Sequence, residues 1–74
     1  MDEPPRYRIE HRRERMPPRV MGSAATVAAA IVEIATLRRW LRAAEEGGAL
    51  VVVDRLETPE RVVASYRIGS GRGA

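Results

Sequence analysis

The residues of this 74-residue chain that offer the most binding chemistry are its arginines. The chain has thirteen Arg and no Lys. Cysteine is absent and His11 is the only histidine. Zinc sites need several Cys or His ligands, and acid–base chemistry near neutral pH usually needs a poised imidazole. We therefore expect no metal site, no cofactor and no enzymatic activity.

The densest basic segment lies near the N-terminus, where arginine side chains could grip phosphates in a bidentate manner. The candidate nucleic-acid contacts are Arg6, Arg8, Arg12, Arg13 and Arg15. Acidic residues in the same stretch offset much of this charge, and the net charge of the whole chain is only +3, which is ordinary for a small domain. Nucleic-acid binding is therefore the alternative function rather than the favoured one.

A long helix is predicted from residue 24 to residue 46, because this stretch lacks Pro and Gly and is rich in helix-forming residues. Ser23 is the expected N-cap and Gly47 the expected C′ residue. Arg38 and Arg42 are expected to pair with Glu45 and Glu46 at helical spacing. The apolar stripe that should face the core contains Val27, Ile31, Ile34, Leu37 and Leu41.

The opposite side of the helix is also poor in charge, which suggests burial on two sides. Trp40 lies on this side, and Trp is enriched at protein interfaces. An alternative is that Trp40 packs against the N-terminal segment, for example against Tyr7 or Pro17. The predicted protein interface contains Trp40, Ala25, Ala29, Val32, Thr36 and Ala43, together with Val63 from the sheet.

Three strands are predicted around the helix. Residues 6–12 alternate apolar and charged side chains, residues 49–53 form a continuous apolar run, and residues 61–68 alternate again after a turn at Pro59. Residues 13–21 are expected to form a loop. The predicted fold is an α+β two-layer sandwich in the order β–α–β–β, with one long helix on a three-stranded sheet.

The predicted domain spans residues 6–68, between a disordered N-terminus (1–5) and a flexible Gly-rich tail (69–74). A chain this short buries only about 60% of its unfolded surface, and it lacks a disulfide or metal to compensate. The predicted sheet also leaves one side of residues 50–53 uncovered. Self-association, most simply as a homodimer, is therefore expected.

No stretch resembles a membrane span, and the cysteine-free composition is compatible with the cytoplasm. The bias towards Arg, Ala, Gly and Val is typical of a GC-rich genome, such as that of a high-GC bacterium or its phage. The sequence thus favours a non-catalytic module that self-associates and binds a protein partner, as an accessory, regulatory or inhibitory protein. Arginine-mediated nucleic-acid binding is the alternative.

Overall fold

Two β-hairpins flank one helix in the computed structural model, which describes residues 4–69 of the chain. The elements are β1 (Tyr7–Arg12), β2 (Arg19–Ala24), α1 (Val27–Ala43), β3 (Ala49–Asp54) and β4 (Arg61–Arg67). The strands form one antiparallel sheet in the order β2-β1-β3-β4. Because β2 and β3 both run antiparallel to β1, they are parallel to each other, and α1 makes the crossover between them.

The expectation of one helix packed on a sheet is confirmed, but the expected β–α–β–β order with three strands is wrong. The additional strand is β2, which occupies part of the stretch predicted as loop and the predicted start of the helix. Pro17 and Pro18 precede β2 instead of interrupting it, a position that strands tolerate. Gly22 and Ser23 have low strand propensity, so the segment carries a weak strand signal.

The one hairpin that the sequence predicts, from residue 49 to residue 68, is confirmed as β3 and β4. Within the predicted terminal segments, residues 1–3 and 70–74 lie outside the described residues. Among residues 4–69, no helix is long and apolar enough to cross a membrane.

The helix is shorter than predicted at both ends because its caps differ from those expected. Thr26 is the N-cap, and its Oγ1 accepts a hydrogen bond from the Ala29 N–H at 3.1 Å. At the C-terminal end, Glu45 adopts the left-handed conformation with φ of 59°. The N–H of Glu45 donates to the Arg42 carbonyl and the N–H of Glu46 donates to the Leu41 carbonyl. This pair of bonds is a Schellman motif, with Glu45 rather than Gly47 at C′.

One side of α1 packs on one face of the sheet and forms the core. The buried core residues are Ile9, Ala24, Ala30, Ile34, Leu41, Leu50, Val52 and Ile68. Ile31 was predicted to belong to the core stripe, but 42% of its surface is exposed. The small Ala30 occupies the contact instead, and Ile31 lies about 100° further around the helix.

Replacing Glu45 with Gly is expected to stabilise the chain, because a non-glycine residue in the left-handed region is strained. Relative to Glu45→Ala, which also removes the carboxylate but keeps Cβ, Glu45→Gly should raise the free energy of unfolding by about 0.5–1 kcal/mol. Urea denaturation of both variants measures the difference. Equal stability of the two variants would contradict the Schellman ending of α1.

Candidate functional site

The side of α1 that faces away from the sheet is exposed and largely apolar. We call it the outward helix face and define it by Ala29, Val32, Thr36, Trp40 and Ala43, which lie on one side at spacings of three and four residues. All five are exposed, and the exposed fractions of Val32 and Trp40 are 70% and 72%. The structure thus brings together most of the predicted interface residues on one surface.

Two members of the predicted interface lie elsewhere. Ala25 is exposed but precedes the helix N-cap. Val63 belongs to the edge strand β4, whose Cα atoms lie more than 8 Å from those of α1, so it does not share a patch with the helix residues. The alternative in which Trp40 packs against Tyr7 or Pro17 does not agree with the exposure of the Trp40 side chain.

An arginine cluster on α1 adjoins one edge of the outward helix face through Arg39, while Arg42 and Arg38 lie about 120° and about 160° from Thr36 around the helix axis. Arg38, Arg39 and Arg42 line a shallow depression of about 430 Å³ together with Ala35 and Ala43. Among residues 4–69, no carboxylate oxygen lies within 4 Å of these three guanidinium groups. The Nε atom of Arg38 is buried and has no hydrogen-bond partner within the same part of the chain.

The predicted pairing of Arg38 and Arg42 with Glu45 and Glu46 does not occur, because the helix ends before those glutamates. Glu46 instead approaches two arginines of the β1–β2 hairpin, with N–O distances of 3.5 Å to Arg13 and 3.4 Å to Arg19. The cations on α1 therefore lack the local compensation that helical spacing suggested.

The arginines of β1 differ from those of α1, because they are paired with carboxylates, above all with Glu10 of the same strand. The Glu10 carboxylate lies between two guanidinium groups, 2.8 Å from Nε of Arg8 and 2.9 Å from a terminal nitrogen of Arg12. Arg8 also contacts Glu60 at 2.6 Å. The pKa of Arg8 is raised by Glu60 and Glu10, and the same contact lowers the pKa of the Glu60 carboxyl.

The paired side chains of Arg8, Glu10 and Arg12 lie on the sheet face opposite α1, and we call them the ion-paired layer. In the strand register, Arg8 is beside Val53 and Glu10 is beside Val51. Those two valines are only 2% and 5% exposed within the single chain. The long aliphatic stems of arginine side chains can cover apolar surface while their charged groups remain paired. The predicted uncovered side of residues 50–53 is therefore already covered, and it supplies no reason for a second copy.

Arg6 is held at the other end of β1 by Asp54. Its guanidinium makes two parallel bonds to the Asp54 carboxylate, at 3.0 and 2.8 Å, and the carboxylate also accepts the Leu56 N–H at 3.0 Å. The hydrogen bond from Arg6 lowers the pKa of the Asp54 carboxyl, and the backbone bond from Leu56 acts in the same direction. Of the five arginines predicted to contact nucleic acid, only Arg15 has no ion pair within residues 4–69.

His11, the one imidazole of the chain, is fully buried and has both ring nitrogens occupied. A terminal nitrogen of Arg19 lies 3.0 Å from Nδ1, and the Gly47 carbonyl oxygen lies 2.8 Å from Nε2. Because a guanidinium can only donate, Nδ1 must accept, and the ring proton sits on Nε2. His11 therefore ties the end of β1 to β2 and to the segment after α1, a role that the alternating sequence pattern did not reveal.

The described residues also contain no candidate metal site. Among residues 4–69 there is no cluster of three or more His, Cys, Asp or Glu side chains that could hold a metal ion. Comparison of the chain with protein-family models, with curated proteins and with solved structures gives no match. The function must therefore be argued from the geometry of the chain's own surfaces.

The Arg6–Asp54 pair is expected to make the free energy of unfolding depend on pH in the acidic range. Because the pKa of Asp54 is lower in the folded state than in the unfolded chain, the pair stabilises fully above the ordinary Asp pKa of about 4 and loses its effect as the pH falls through the lower folded value. The melting temperature should be flat from about pH 7 to 5 and fall below about pH 4.

Asp54→Asn is expected to melt at a lower temperature than the wild type at neutral pH and to show a shallower acid decline. Glu57→Gln is the matched control, since Glu57 is exposed and has no ion pair among the described residues. Circular dichroism melts over this pH range measure both variants. An Asp54→Asn variant that melts like Glu57→Gln at every pH would contradict the assignment.

Proposed function

We propose that this chain is a non-catalytic interaction module and that a protein partner binds to the outward helix face. The single observation that carries the proposal is the exposure of Val32 and Trp40 on the same side of α1. Large apolar side chains that point together into water favour association, because covering them removes apolar surface from water.

The spacing of the exposed residues suits recognition by a helix or an extended segment. Val32, Thr36 and Trp40 follow one another at intervals of four residues, so they project along a single line. The 17-residue helix is about 25 Å long, enough for several such contacts. Trp at the centre of a covered surface is a frequent source of binding energy.

The non-catalytic part of the proposal is supported by the state of His11. Its two ring nitrogens bond to Arg19 and Gly47, so neither is free to accept a proton from a substrate. The nucleic-acid alternative is weakened in a similar way. Phosphates would have to displace carboxylates from Arg6, Arg8 and Arg12, and each displaced carboxylate would then lose its partner.

Self-association remains part of the proposal, but we place it at the outer edge of β4 instead of on α1. A symmetric pairing of two α1 helices centred on Trp40 would bring the arginine-bearing C-terminal ends of both helices together, which like charges disfavour. The edge strand β4 is paired only with β3, and its Val62 and Val63 are about 40% exposed. Such an edge offers unpaired backbone groups to a second copy.

A cytoplasmic location and an origin in a high-GC bacterium or phage are further parts of the proposal. Both rest on composition alone: the chain contains no cysteine, and its cations are all arginine. An accessory, regulatory or inhibitory role is compatible with a small module that has one binding surface.

The proposal is tested with a yeast-displayed library of random peptides of about 16 residues, a length that matches α1. The library is sorted against the wild-type chain, and enriched clones are titrated with two double variants. Val32→Ser with Trp40→Ser removes the apolar anchors. Val20→Ser with Leu56→Ser is the matched control, because these side chains are similarly exposed (62% and 67%) but lie on β2 and in the β3–β4 turn.

The dissociation constant of enriched peptides should rise about tenfold or more with the first variant and stay unchanged with the control. Light scattering should give twice the chain mass for both variants, since neither changes β4. Failure to enrich any peptide, or equal binding to the two variants, would contradict the proposed function.

A further inference from the structure

The charged residues of α1 are mostly positive. Arg38, Arg39 and Arg42 lie within little more than one turn of α1, and Glu33 is the single acidic residue of the helix. The Glu33 carboxylate lies near Gly22 of β2, away from the arginine cluster. The arginine cluster therefore gives the flank of α1 next to the apolar surface a positive charge, with Arg39 nearest to Val32, and no acidic residue of the helix offsets it.

The arginines of α1 differ from those near β1 in whether a carboxylate pairs with them. On β1 and in the residue before it, each of Arg6, Arg8 and Arg12 has a guanidinium nitrogen within 3 Å of a carboxylate oxygen. On α1, no carboxylate among the described residues comes within 4 Å of the arginine cluster. The chain thus pairs Arg6, Arg8 and Arg12 internally and leaves the arginine cluster of α1 without a carboxylate partner among the described residues.

We propose that the partner segment is acidic and amphipathic. Its apolar residues would cover Val32 and Trp40, and its carboxylates would pair with Arg38, Arg39 and Arg42. This inference rests on the proposed function and specifies the chemistry of the partner. Guanidinium groups bind carboxylates in bidentate geometry, and pairs at the rim of an apolar contact contribute to specificity and to the rate of association.

The neighbouring surface favours an acidic protein segment over a nucleic acid. The arginine cluster extends only about 6 Å along the helix, whereas nucleic-acid surfaces are usually basic stripes that follow the backbone. The depression between these arginines has alanine side chains, Ala35 and Ala43, in its lining. Apolar lining fits an aliphatic side chain better than it fits a phosphate or a sugar.

The test uses the peptides that the same library yields against the wild-type chain. Enriched sequences should carry Asp or Glu beside apolar residues spaced three and four positions apart. A synthetic peptide with their consensus should bind about tenfold or more weakly to the triple variant Arg38→Gln, Arg39→Gln, Arg42→Gln. Its binding to the wild type should also weaken as NaCl is raised from about 50 to 500 mM.

The matched control is Arg15→Gln, Arg61→Gln, Arg67→Gln, which removes the same charge from exposed arginines that have no ion pair in the described part of the chain. Because Arg61 and Arg67 lie on β4, light scattering checks that this control keeps the mass of the wild type before the peptide is titrated. This control should bind the peptide like the wild type. Equal losses in the two triple variants would mean that only net charge matters, and would overturn the inference.

The remaining outcomes separate this inference from the proposed function. Neutral or basic peptides that still require Val32 and Trp40 would overturn the acidic partner and leave the proposed function intact. Peptides that do not require those anchors would overturn both. Tight binding of a single-stranded oligothymidylate through Arg38, Arg39 and Arg42, without enrichment of acidic peptides, would assign the surface to nucleic acid and overturn the inference.

Discussion

The sheet of this small protein depends on one interaction above all, the pairing of the Glu10 carboxylate with Arg8 and Arg12. A single helix can cover only one face of a four-stranded sheet, so the other face needs some other protection. Here Val51 and Val53 are buried beneath a layer of paired charges that β1 itself supplies. Because Glu10 is almost buried, its charge must be compensated locally, and both neighbouring arginines do so.

This layer determines where function can reside. The arginines that dominate the N-terminal sequence hold the sheet together, and releasing them to a ligand would leave buried carboxylates unpaired. The arginines of α1 have no carboxylate partner among the described residues. One of them, Arg39, lies on the same flank of the helix as Val32, which with Trp40 is among the most exposed large apolar side chains of the described residues. The ion pairs of β1 therefore stabilise the sheet, and the surface that we propose for recognition lies on the helix.

The sequence predicts the body of the helix, the second hairpin and the shared side of Trp40 and Val32, because each depends on local periodicity or on a strong turn signal. It does not predict β2, whose Gly22 and Ser23 are poor strand formers and whose pairing with β1 is a tertiary effect. The helix end was misplaced because Glu45 takes a conformation normally left to glycine. The pairing of Arg8 with Glu60 joins residues that are 52 positions apart, so no local sequence pattern predicts it.

The most direct test of this account is a double-mutant cycle between Arg8 and Glu10, with Arg8→Gln, Glu10→Gln and the double variant compared by urea denaturation. If the buried pair protects the sheet, the coupling energy should exceed about 1 kcal/mol, above the range of exposed ion pairs. A coupling energy within about 0.3 kcal/mol of zero would contradict the account, because the layer over Val51 and Val53 would then contribute no more than an ordinary surface contact.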